Sequence, residues 1–135
     1  MNELIKQIEK WAENKNTQSI DDIALSLIAN VGQLSSRILD EISPFCEIGN
    51  TFKALVVLAK KLGGSVSDVD FSKLEWADGG NYQLVSNLTS MVSELANYAS
   101  IANYLHVGLV KRTINLLTAI ARNHNLSLRQ CINVE

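Results

Sequence analysis

Two short stretches of this chain place oxygen-bearing side chains at helical spacing: "LIANVGQL", with Asn30 and Gln33, and "CEIGNTFKALVVLA", with Glu47 and Asn50. Residues three apart on a helix share a face, so an antiparallel pair of helices would bring all four together. Carboxylates in those places would hold Mg²⁺ against a polyphosphate, because a hard cation prefers oxygen donors and keeps waters for in-line attack. Here Glu47 alone is an acid. An amide oxygen carries only a partial charge, and at about 4 Å each lost unit charge forfeits roughly 1 to 4 kcal/mol at effective dielectrics of about 80 to 20. Tight metal binding is not expected from such a set. The same residues also have simpler uses. Asn30 and Gln33 can hydrogen-bond across a helix interface, and Glu47 suits the positive end of a helix dipole.

The elements that must position these residues are all helical. Leu4, Ile5, Ile8, Trp11 and Ala12 follow the spacing of an amphipathic helix that fades into the polar "ENKNTQ". Ser19 with Asp22 makes a capping box, and Ile20, Ile23, Leu27, Val31, Leu34 and Ile38 carry a stripe until Ser43-Pro44 stops it. Pro44 fits the first turn of a third helix, which ends at Gly63-Gly64. Ser65 with Asp68 predicts a short capped turn, and "DFSKLEWADGGN" is a connector with a strong breaker at Asp78-Gly79-Gly80-Asn81. Tyr82, Val85, Leu88, Met91, Val92 and Leu95 define another helix, Leu105 to about Asn123 one more, and Ser127 caps a last short segment, "LRQCINVE".

Laid over each other without a gap, "LIANVGQLSSRIL" and "LVSNLTSMVSELA" pair Leu27 with Leu84, Asn30 with Asn87 and Ile38 with Leu95. With a small gap, "FKALVVLAKKLGGSVSDV" and "INLLTAIARNHNLSLRQC" pair Leu55 with Leu117, Ala59 with Ala121 and Ser65 with Ser127. Two similar helical hairpins in tandem, packed as one bundle, account for this. The plainer account is that amphipathic helices of equal period resemble one another.

Composition narrows the classes of function. At 135 residues and 47% hydrophobic content the chain is the size of one domain with one core, 1–135. A net charge of -2 offers no basic field for nucleic acid or anionic lipid, and Lys60-Lys61 and Lys111-Arg112 read as solvated helix surface. Nothing approaches the roughly 20 apolar residues of a membrane span, and the charged start "MNELIKQIEKWAENK" does not match a signal peptide, so a cytoplasmic protein is expected. Cys46 and Cys131 lack metal spacing and read most simply as small buried hydrophobes in a reduced compartment, with a disulfide left open. His106 and His124 have no ligand or triad spacing. Gly63-Gly64 and Gly79-Gly80 read as caps and turns rather than a phosphate loop.

Residues 1–70 resemble the MazG-like all-α nucleoside triphosphate pyrophosphohydrolases. "LIANVGQL" stands against the family's first motif helix, which reads roughly L-V-E-E-V-G-E-L. "EIGNTFKALVVLAKKLGGSVSDV" stands against E-x-G-D, its apolar run and its turn. The half 81–135 resembles the two core helices again, more degenerately. The resemblance implies a helical bundle and places the four metal-ligand positions on Asn30, Gln33, Glu47 and Asn50. Three of the four acids are replaced by amides, and in the second half the corresponding positions are Asn87, Ser90, Leu109 and Arg112. Trp11 resembles an aromatic that the family sets near the base, although a tryptophan on an apolar helix face is also an ordinary core residue.

The expected function is a helical module that has lost pyrophosphohydrolase activity and binds a nucleotide or a protein partner without a cofactor, with homodimerisation left open. One alternative is a weak Mg²⁺-dependent pyrophosphohydrolase in which Glu47, aided by Asp40, Glu41 or a neighbouring chain, still recruits metal. The other is a structural adaptor that offers an apolar helix face and no ligand pocket.

Overall fold

The computed structural model describes residues 1–15, 18–74 and 77–133. Asn16 and Thr17 of the polar stretch, Glu75 and Trp76 of the connector, and Val134 and Glu135 of the last segment lie outside the described residues. Among the described residues five α-helices form: α1 (Asn2–Lys15), α2 (Ile20–Leu39), α3 (Phe45–Lys61), α4 (Asn81–Ala102) and α5 (Val107–Asn123). Short 3-10 turns lie at Val66–Asp68, Phe71–Lys73 and Arg129–Cys131, and no strand occurs among the described residues.

Local chemistry sets the helix ends. The Ser19 hydroxyl accepts the Asp22 N–H at 3.2 Å while the Asp22 carboxylate accepts the Ser19 N–H at 3.4 Å, which satisfies two donors that α2 cannot pair internally. Pro44 stands at the N-cap of α3, one residue outside the first turn, where its missing N–H costs nothing. Gly63 follows α3 with φ +86, a backbone conformation open to glycine. Ser65 caps its turn through the N–H of Ser67 at 3.1 Å rather than that of Asp68. The helix α4 runs on to Ala102, well past the stripe that ends at Leu95, and stops at Asn103 in the left-handed conformation that asparagine tolerates. α5 begins at Val107 instead of Leu105, because the His106 ring Nδ1 accepts the Leu109 N–H at 3.1 Å and caps the helix.

In space, α2 lies against α3 and α4, α4 against α5, and α3 against α5, so four helices close a ring. Asn81 at the start of α4 meets His124 just past α5, beside Ile38 near the end of α2. Thus α4 runs antiparallel to both α2 and α5. Gly64, just past α3, abuts Leu105, just before α5, while Gly49 near the start of α3 abuts Cys131 beyond the end of α5. These two are antiparallel as well. α1 packs on α3 and is pinned to the following turn, where the Ser65 hydroxyl donates to the mostly buried Glu9 carboxylate at 2.8 Å.

The core is one hydrophobic cluster fed by every α-helix. Ile5, Leu27, Phe52, Leu88 and Leu117 all belong to it and are almost wholly buried. Burial of a side chain of this kind contributes about 1.5 to 3 kcal/mol, so the apolar stripes dominate the packing. Among the described residues no helix is long and apolar enough to cross a membrane.

Candidate functional site

Along the seam where α1 crosses α2 and α3, the helices leave a cavity of about 400 Å³. Its floor is apolar, made by Ala12, Ile23, Ala54 and Val57, and its rim carries Trp11 from α1, Ser26 and Asn30 from α2, Asn50 and Lys53 from α3, and Gln18. Helical spacing explains the grouping. Ser26 and Asn30 are four apart on α2 beside the buried Ile23 and Leu27, while Asn50 and Lys53 are three apart on α3, so both pairs flank the same antiparallel seam. Trp11 also lines this space and is 42% exposed.

Of the four positions at which metal ligands were sought, only Asn30 and Asn50 reach the cavity. Gln33 is exposed and lies outside it, so it is neither a ligand in this cavity nor an amide buried between helices. Glu47 is held elsewhere: its Oε2 lies 3.4 Å from the Nε of Arg37, with the carboxylate side chain only 12% exposed. The α2–α3 hairpin is antiparallel, but its register and the outward face of Gln33 keep the four groups apart. Asn30 faces the level of Asn50 through Val57, whereas Glu47, one turn nearer the α2–α3 turn, faces Arg37. Glu47 also sits in the first turn of α3, as its favourable interaction with the helix dipole requires.

A divalent cation does not fit this donor set. Three neutral amides, a serine hydroxyl and a lysine ammonium line the space, the one acid of the motif is neutralised by a guanidinium, and none of the described residues that line the cavity is a carboxylate. Among the described residues no group of three His, Cys, Asp or Glu is placed to hold a metal. The cavity instead offers the opposite polarity: a cation at Lys53 and amide donors at Asn30 and Asn50, with the indole of Trp11 also in its lining.

Lys53 and Arg37 did not emerge as functional candidates from the sequence, although a signal for each was present. Lys53 stands three residues after Asn50, and Arg37 four after Gln33, both on faces already singled out. The two histidines have structural occupations. His106 caps α5, and His124 contacts the Ile120 carbonyl through Nδ1 at 2.9 Å and the Asn81 amide through Nε2 at 3.5 Å. Asn123 completes that junction by donating to the Gly79 carbonyl and to Asn81 Oδ1. Compared with protein-family models, with curated proteins and with solved structures, the chain matches none.

Proposed function

We propose that this chain is a MazG-like helical module without pyrophosphohydrolase activity, and that it binds a nucleotide in the α1–α2–α3 cavity with no metal ion. The observation that carries the proposal is the polarity of the cavity: Lys53, Asn30, Asn50 and Trp11 in its lining, and no carboxylate among the described residues that line it. A nucleotide has the complementary parts. Its phosphates suit an ammonium and amide donors, and its base suits an indole face. With no metal to activate water or to neutralise a leaving pyrophosphate, hydrolysis lacks its principal stabilising term. The residual-enzyme alternative is weakened by the engagement of Glu47 with Arg37.

The tandem duplication belongs to the same proposal. The gapped alignment lays α3 on α5, which have 17 residues each, and each is followed by a serine and a 3-10 turn.

Trp11 supplies the readout. In a Trp76→Phe background, titration with nucleoside triphosphates in EDTA should quench the remaining fluorescence saturably, and added Mg²⁺ should not tighten binding. Lys53→Ala should weaken it roughly tenfold, since a charge-assisted hydrogen bond contributes about 1.5 to 3 kcal/mol. Absence of any response to all four common nucleotides would refute the binding reading, and Mg²⁺-dependent pyrophosphate release abolished by Glu47→Gln would restore the enzyme.

A second reading, a protein-interaction module, has its own observation. At the α4–α5 corner Tyr98, Ile101, Tyr104 and Val107 are all exposed, with Ile101 at 85%. Concentration-dependent sedimentation, lost on Ile101→Lys, would support self-association through that corner.

A further inference from the structure

The C-terminal turn Arg129–Cys131 lies directly on α3. A Cβ placed on Gly49 would stand 1.8 Å from the Cys131 carbonyl oxygen and 3.4 Å from the Ile132 Cα, so the backbone of the turn touches the helix with no side chain between them. Cys46 occupies the position one helical turn before Gly49, where i and i+3 neighbours are about 5 to 6 Å apart. The fold thus brings the backbone of Cys131 within about one helical turn of Cys46, although the two cysteines are 85 positions apart in sequence (131 less 46). They differ in access: Cys46 is exposed and Cys131 is 2% exposed. They also lie within electrostatic reach. Burial pushes the Cys131 thiol up to about 11, and the neighbouring Cys46 adds to that rise.

We propose that Cys46 and Cys131 form a reversible disulfide that clamps the C-terminal turn to α3. Disulfides require Cα atoms roughly 4.4 to 6.8 Å apart, and the three-residue turn is the small element whose adjustment sets that distance. The co-reactant is a low-molecular-weight disulfide. The exposed Cys46 thiolate attacks one of its sulfurs, forming a mixed disulfide and expelling one small thiolate. Cys131, giving up its proton, then attacks the Cys46 sulfur and expels the second. The two protein thiols lose two electrons and two protons, and one small disulfide becomes two small thiols. Asn50 and Lys53 lie four and seven residues beyond Cys46, so the clamp fixes the helix that forms one wall of the cavity. That consequence for a ligand rests on the nucleotide reading, whereas the disulfide itself does not.

The full chain, reduced and then exposed to oxidised glutathione, should be alkylated, digested and mapped by mass spectrometry. The expected product is a monomer containing a peptide that joins Cys46 to Cys131, two hydrogens lighter than the reduced pair. It should be reversed by dithiothreitol and melt at a higher temperature than the reduced protein. Cys46→Ser should leave Cys131 unmodified, and Cys131→Ser should stop at glutathionylated Cys46. A wild-type chain that yields only glutathionylated Cys46, only a Cys46–Cys46 dimer, or no modification would overturn the clamp. None of those three readouts depends on nucleotide binding, so the two proposals fail separately.

Discussion

Glu47 answers two demands with one carboxylate: it sits at the positive end of α3 and holds Arg37 of the opposite helix. Because the Arg37 side chain is 48% exposed, the pair is worth little to stability. Glu47→Gln should cost about 0.2 to 1 kcal/mol by urea denaturation and should leave nucleotide affinity within about twofold. Gly49 is far less forgiving. A methyl group there would collide with the Cys131 carbonyl, and the obstacle is backbone that cannot rotate away. Gly49→Ala should therefore cost about 1 to 3 kcal/mol, the range of overpacked cores, with the C-terminal turn displaced. Cys131 adds a pH signature. As pH rises past 9.0 the unfolded thiol ionises, while the buried one keeps its proton to about 11. The folded state therefore binds more protons in that window, and stability should fall between pH about 9 and about 11. Cys131→Ala should remove that slope relative to wild type, which urea midpoints at pH 8 and pH 10.5 would test.

Helix ends carry the next layer. Removing the Ser19 hydroxyl with Ser19→Ala leaves α2 donors unpaired and should cost about 1 kcal/mol in chemical denaturation. That cap was legible in the sequence, as were the break before α3 and the glycine stop after it, because each is written in residues within a few positions of the event it controls. The start of α5 was not, since histidine is not among the favoured caps and the acceptor role of His106 depends on how its ring is turned. The end of α4 was also hidden. Its stripe continues past Leu95 only in the small buried residues Ala96 and Ala99, and Tyr98 packs its ring 5.0 Å from that of His106, a contact no periodicity encodes. The candidate site was legible to the same degree. Spacing placed Asn30 and Asn50 on facing helices, but which rung of one helix meets which rung of the other is fixed by packing. That register sent Glu47 to Arg37 and brought Lys53 and Trp11 to the cavity. Cys46 was read as buried and is exposed, because it lies in the first turn of α3, one turn short of the buried Gly49 on which the C-terminal turn packs.

For the whole molecule the decisive fact is that α2, α3, α4 and α5 share one hydrophobic cluster. If each hairpin had its own core, the chain would unfold in two steps, and damage to one half would spare the other. Phe52 discriminates between these cases, since it lies on α3, is 0% exposed, and belongs to the cluster that α4 and α5 complete. Phe52→Ala should cost about 3 to 5 kcal/mol, the transfer of the ring plus the void it leaves. The shape of the transition is the sharper test. Far-UV circular dichroism reports helix from the whole chain, while fluorescence in a Trp76→Phe background reports Trp11 on α1 alone. In a single cooperative unit the two curves coincide in urea, both before and after the Phe52 substitution, and shift together. A Phe52→Ala variant whose Trp11 signal is lost early, with close to half of its ellipticity surviving to the wild-type midpoint, would mean that the α4–α5 hairpin stands without its partner, and that the shared core joins two separable folding units.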